Sequence, residues 1–157
     1  MIRPRDRLMI LKILVGKRVI SIVSPYAPQQ GLNQESKDLF YASLTEHVAK
    51  IEEKDMIILA GDLNGHVGRT TSGYPNIHGG FGFGTRNPEG ERILEFCLAL
   101  DLVVCNTLFK KPDNKLITFS SGGNQTQIDY ILMRPSDKKL VRDVKVIPGE
   151  EAFSTDS

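Results

Sequence analysis

Cysteine is scarce in this sequence, with only Cys97 and Cys105 among 157 residues. Both sit within apolar runs, so they read as buried free thiols of a reducing compartment, and a disulfide framework is excluded. The chain is therefore expected to be intracellular, nuclear or cytoplasmic. No apolar run approaches the roughly 20 residues of a membrane-spanning helix, so no membrane partner is expected. The basic N-terminus is not a signal peptide, because Lys12 interrupts the apolar stretch and no small-residue cleavage site follows. Without secretion, the sequon Asn124-Gln125-Thr126 carries no meaning.

Ligand spacings are equally thin. His47, His66 and His78 have no zinc spacing among themselves or with the cysteines. Gly79, Gly80, Gly82 and Gly84 resemble a phosphate-cradling loop, but Thr85 and Asn87 stand where the third glycine of a dinucleotide fingerprint would be. No Walker motif is present. The net charge of +1 advertises no polyanionic partner. One local bias exists, Arg3, Arg5, Arg7, Lys12, Lys17 and Arg18 against Asp6, and it reads as a solvated strand face.

What remains is ordinary globular material: 40% hydrophobic and 25% charged residues, enough for a single domain with a real core. Arg7 to Val15 and Arg18 to Ser24 are β-rich and joined at Gly16-Lys17, a two-residue hairpin turn. Ser36 is expected to cap a helix running to about Lys54, with Leu39, Phe40, Leu44, Val48 and Ile51 on one face. Asn87-Pro88 opens a second helix with Glu89 and Glu91 in its first turn, and Ile93, Leu94, Cys97 and Leu98 form its stripe. Residues 68 to 88 form a long Gly-rich loop, of the kind that is usually functional or mobile. Leu102–Cys105, Leu116–Phe119, Gln127–Met133 and Leu140–Ile147 complete seven strands. Hairpins plus one strand-helix-strand unit imply a mixed sheet arrangement and not a doubly wound one.

The chain is organised around Met56-Ile57-Ile58-Leu59-Ala60-Gly61-Asp62-Leu63-Asn64-Gly65-His66. The apolar run is a strand buried on both faces, and it ends in Gly-Asp-x-Asn. A carboxylate and a carboxamide two residues apart at a strand end point the same way. One can hold a hard cation or a water while the other donates to a phosphate oxygen. The bland alternative is an Asn64-Gly65 hairpin turn, but no second alternating strand follows. A second carboxylate, Asp129, alternates with the apolar positions Ile128, Tyr130 and Leu132. Buried, it would be costly without a partner; exposed, it would be an edge-strand charge.

Taken in order, Tyr26-Ala27-Pro28, Gly61-Asp62-Leu63-Asn64, Thr118-Phe119, Ile128-Asp129-Tyr130 and Thr155-Asp156 resemble the signature segments of the endonuclease/exonuclease/phosphatase superfamily. Phe81-Gly82-Phe83-Gly84-Thr85-Arg86-Asn87 and Gln127-Ile128-Asp129-Tyr130 carry a closer resemblance, to the apurinic-type endonuclease domain of LINE retrotransposons of the BovB/RTE kind. The resemblance implies an α+β fold, a two-sheet β-sandwich flanked by helices in four αββα layers, with the site at the strand ends. It implies DNA phosphodiester hydrolysis assisted by Mg2+ or Mn2+. Asp62 would hold or deprotonate the attacking water, and Asn64 and Tyr26 would steady the phosphate. Asp129 would orient a catalytic histidine, and Asp156 would join Asp62 and Asn64 at the metal. Thr118 would contact substrate. A phosphatase of small phosphoesters is the neighbouring activity within the superfamily.

The sequence departs from that pattern twice. It has no counterpart of the family's opening strands, with their Asn and metal-binding Glu, and Ser157 stands where the family closes on histidine. Serine cannot carry a proton near neutral pH as imidazole does. The expectation is a single domain truncated at its N-terminus and at its C-terminus. Either it keeps the phosphate-contacting half of an endonuclease site, or it is a non-catalytic descendant serving as a nucleic-acid or protein interaction module. An exposed sheet edge would invite self-association.

Overall fold

The computed structural model describes residues 8–27 and 33–147. Its main element is a five-stranded sheet in the order β1-β2-β3-β7-β4, formed by Leu8–Val15, Arg18–Pro25, Met56–Asp62, Asp129–Met133 and Val103–Val104. The β2–β3 pair is parallel and the other three pairs are antiparallel. A second sheet is the ribbon of β5 (Phe119–Ser121) and β6 (Asn124–Thr126). Two helices, α1 (Gln34–Ala49) and α2 (Pro88–Leu100), complete the α+β architecture of two sheets with flanking helices.

The β1–β2 hairpin forms as expected, because Gly16 takes the left-handed conformation (φ 64°) that such a turn needs. Side-chain alternation then divides the main sheet. Ser21 and Val23 of β2, Ile57 and Leu59 of β3, Tyr130 and Leu132 of β7 and Val104 of β4 share one face by register. Against it pack Phe40, Leu44 and Val48 of α1 and Ile93, Leu94, Phe96 and Cys97 of α2. Burying each such large apolar side chain contributes roughly 1.5–3 kcal/mol before chain entropy is subtracted. The opposite face carries Met56, Ile58, Ile131 and Met133, and Val141 and Val144 cover them only in part. Met9, Leu11 and Ile13 of β1 extend that face outward and are exposed.

Five sequence expectations shift. The cap of α1 is Asn33, whose Oδ1 accepts from Ser36 N at 2.8 Å, and not Ser36 itself. That helix stops at Ala49 because Arg134 collects the next carbonyls, those of Ile51, Glu52, Glu53 and Asp55, at 2.6–3.3 Å. The segment 140–147 is not a strand; a 3-10 helix (Pro135–Leu140) precedes an irregular stretch that lies on the partly covered face. Of the expected strand Leu116–Phe119 only Phe119 joins a ladder, as the first residue of β5, and the seventh strand is instead β6. In α2 the buried stripe takes Phe96 in place of Leu98, which is 63% exposed.

Candidate active site

Three neighbouring strand ends define the site. Tyr26 bridges Asp62 in parallel register, and Asp62 is paired with Asp129 across β3 and β7. By alternation all three lie on the partly covered sheet face, in line with Ile22, Ile58 and Ile131. Leu63 N donates to Ile128 O at 2.8 Å. The Asp62–Asp129 rung is therefore of the non-hydrogen-bonded kind, in which Cα atoms approach to about 4.5 Å and side chains stand closest. Two carboxylates directly opposite are destabilising on their own. Burial pushes the Asp62 carboxyl above its ordinary range, the Asn64 N–H opposes this, and the Asp129 charge adds to it.

Asn64 reaches the site by a different route from strand alternation. β3 ends at Asp62, and Asn64 has φ 48°, a left-handed turn conformation that asparagine tolerates. Its N–H donates to Asp62 Oδ1 at 2.9 Å, and its Nδ2 donates to Ala27 O at 2.9 Å. The carboxamide is thus tied to the backbone one residue past Tyr26. The turn continues into a backbone-on-backbone contact. A Cβ at Gly65 would stand 2.7 Å from the carbonyl carbon of Glu89, and one at Gly90 would run into His66 O. That close approach, and not a hairpin, is why glycine follows Asn64. Asn87 Oδ1 accepts from both Gly90 N (2.8 Å) and His66 N (2.9 Å), capping α2 and holding the turn together. The buried Tyr130 hydroxyl stands 2.7 Å from Gly65 O and 2.8 Å from Gln127 O, and it accepts from Val67 N at 3.2 Å.

The Gly-rich segment 68–86 is an ordered irregular loop, pinned by two side chains. Arg86 donates to the carbonyls of Val67, Thr70 and Ser72, and lies over the Tyr74 ring. His78, 1% exposed, has Nε2 at 2.7 Å from Gly68 O, and its Nδ1 accepts from Gly80 N at 3.0 Å. That pattern requires the neutral Nε2–H tautomer, with both ring nitrogens of His78 engaged in holding the loop. Its proton affinity is lowered, chiefly by burial and also by Arg86, against the pull of Gly68 O.

Of the site residues read from the sequence, Tyr26, Asp62, Asn64 and Asp129 come together. Thr118 stands beside them in a supporting position, its Oγ1 accepting from Ile128 N (2.9 Å) and Asp129 N (3.2 Å). Asp156, with Ser157, lies outside the described residues. His47 is exposed on α1, as expected. Sequence reasoning missed Asn106, whose side chain bonds the backbone on either side of Tyr130. The available signal was a polar residue placed where the apolar run 102–105 ends.

One solved structure shares this arrangement of elements in part. A crystal structure of humanized D. rerio TDP2 superposes with a TM-score of 0.53 at 11% identity, over 81% of this chain and 44% of that one. The chain has the endonuclease/exonuclease/phosphatase fold. A protein of the endonuclease/exonuclease/phosphatase family from Leptotrichia buccalis C-1013-b aligns over 80% of this chain and 41% of its own, at 15% identity and a TM-score of 0.49. No family model matches the sequence. Among curated proteins, craniofacial development protein 2 of Bos taurus is 36% identical over 138 residues, 86% of this chain and 23% of that protein. The same protein of Tragulus javanicus is 33% identical over 152 residues, 95% of this chain and 26% of that one. The chain thus spans about a quarter of the length of the curated relatives it matches. On this fold, neighbouring strand ends carry Tyr26, Asp62 and Asp129.

Proposed function

We propose that the chain carries part of a divalent-metal-dependent DNA phosphodiester-hydrolysing site, of the retrotransposon endonuclease type. The observation that carries this reading is the Asp62–Asp129 rung, two carboxylates facing each other at the mouth of a sheet beside Tyr26. The donor set fits Mg2+ or Mn2+, which take one or two carboxylates and fill their remaining positions with water and substrate oxygens. Among the described residues no group of three or more His, Cys, Asp and Glu could hold a metal. Asp62 and Asp129 would hold the ion between them, Asp129 in place of the histidine-orienting role that the resemblance implies, and Asp156 is a further carboxylate for it. The ion supplies charge neutralisation at the phosphate and a more acidic bound water. The chain's own part is to orient the phosphate through Tyr26 and Asn64 and to accept the water proton at the Asp62 carboxylate, whose raised affinity suits that task.

A second reading is a non-catalytic module that binds nucleic acid or protein. Ser157, at the position of the family's closing histidine, favours it. Nicking of supercoiled plasmid by the purified chain, in Mg2+ and in EDTA beside Asp62→Ala, separates the two. Mg2+-dependent nicking that disappears in Asp62→Ala supports the hydrolase. Nicking unchanged in that variant removes support for the site, and no nicking by a folded chain favours the module.

A further inference from the structure

The edge of the sheet beside Asp129 is not made by a strand. β4 pairs with β7 at only two positions, Val103 with Met133 and Val104 with Leu132. The chain then leaves the ladder as a 3-10 turn, Cys105–Leu108. In the antiparallel β3–β7 pair, Tyr130 bonds toward β3, so the backbone groups of Asp129 and Ile131 point toward the side that β4 has vacated. Left without partners in this half-buried setting they would cost about 1–3 kcal/mol each. Asn106, 8% exposed, meets that need with one carboxamide: Oδ1 accepts from Ile131 N at 2.8 Å and Nδ2 donates to Asp129 O at 3.2 Å. Thr118 Oγ1 accepts from Asp129 N at 3.2 Å. Both backbone groups of Asp129 are therefore held by side chains instead of a neighbouring strand.

We infer that Asn106 is a positioning residue for Asp129, fixing it opposite Asp62; the inference rests on the reading of that pair as the metal-holding carboxylates. A continued β4 would satisfy the same backbone groups but would set its own side chains next to Asp129. The Asn106 carboxamide supplies the two hydrogen bonds without a flanking side chain, so β7 stays in register while the flank of Asp129 remains open to a ligand. Thr118 completes the clamp from the preceding peptide.

The test uses the full chain, with Mn2+ alone as probe. Mn2+ affinity is measured for the wild type, Asn106→Ala, Asn106→Asp and Asp62→Ala, together with residue-resolved amide exchange. In Asn106→Ala the Ile131 amide should exchange about tenfold faster, while the Leu59 and Leu132 amides keep their protection. Its Mn2+ affinity should fall several-fold. Asn106→Asp keeps an acceptor for Ile131 and loses the donor to Asp129 O, so Ile131 stays protected while Mn2+ affinity falls. This near-isosteric variant decides the matter if Asn106→Ala does not fold. Mn2+ affinity equal to wild type in Asn106→Asp, with Asp62→Ala still abolishing binding, overturns the positioning role and leaves the carboxylate pair standing. Mn2+ binding that Asp62→Ala does not change overturns the carboxylate pair, and the positioning role falls with it.

Discussion

The two edges of the main sheet are built in opposite ways. At β1 the edge is a regular eight-residue strand, Leu-Met-Ile-Leu-Lys-Ile-Leu-Val, paired on one side only among the described residues and broken by the single charge of Lys12. Met9 and Leu11 are 63% and 53% exposed there, so apolar side chains and open backbone are displayed together. At β4 the regular ladder lasts two residues, and beyond it Asn106 and Thr118 take over its hydrogen bonds. The first edge is uniform and chemically bare, an arrangement that natural sheets usually blunt. The second is irregular, and every departure from the ladder places a polar side chain near Asp129. Polar side chains gather where the ladder breaks because there they must replace backbone partners.

The largest expected effect lies in the turn that follows Asp62, where main chain meets main chain. Gly90→Ala would drive a methyl group into His66 O, and should cost about 3 kcal/mol of stability in a urea titration. A change below about 0.5 kcal/mol would mean that the turn after Asp62 is not held by α2. Next comes pH. His78 has its proton affinity lowered in the fold relative to the ordinary histidine value of 6.5, so the unfolded chain binds more protons below that value. Its contribution is complete above about pH 6.5 and declines as pH falls below it. The protonated ring would also face Gly80 N–H with a second N–H, losing about 1 kcal/mol. Denaturation midpoints of His78→Gln between pH 7 and pH 5 should lack that slope; an unchanged slope would assign it elsewhere.

Smaller effects sharpen the comparison. Asp62→Asn relieves the like-charge rung, so in EDTA it should raise stability by about 0.5 kcal/mol. In Mg2+ it should lose any metal-induced rise in melting temperature. A variant less stable than wild type in EDTA would show that the bond Asp62 Oδ1 accepts from Asn64 N outweighs the like-charge repulsion. On the bare edge, Leu11→Lys should leave the folding free energy within about 0.5 kcal/mol, since little is buried there. If the bare edge drives association, light scattering on Leu11→Lys should show less of it than on wild type; equal association would assign it to another surface.

Features set by local chemistry were legible in the sequence. The Gly16 turn, the Asn87-Pro88 start of α2 and the strand ending at Asp62 each depend on residues within a few positions of one another. The alternation about Tyr130 also placed Asp129 on the face away from the helices. What escaped was decided by distant partners. The end of α1 is set by Arg134, some 80 residues along, and nothing between Lys50 and Asp55 breaks a helix. β6 is Asn-Gln-Thr, with no apolar alternation to signal a strand, and it exists only as the partner of β5. Val141 and Val144 gave 140–147 a strand-like pattern, yet they pack on the sheet face without joining the ladder. Asn64 keeps its place near Asp62 through a left-handed turn that two-residue periodicity does not describe. Asn106 acts through backbone groups that no side-chain pattern reveals.

Gly65 and Gly90 let the turn after Asp62 lie directly on the first turn of α2, main chain against main chain. A contact of that kind has no rotamers to absorb a displacement, so whatever shifts Asn64 must push the helix as a rigid lever or be resisted by it. The exposed Leu98, two turns along on the solvent side of that lever, is consequently the natural place to attach a reporter that hears what happens at the carboxylates from outside the site.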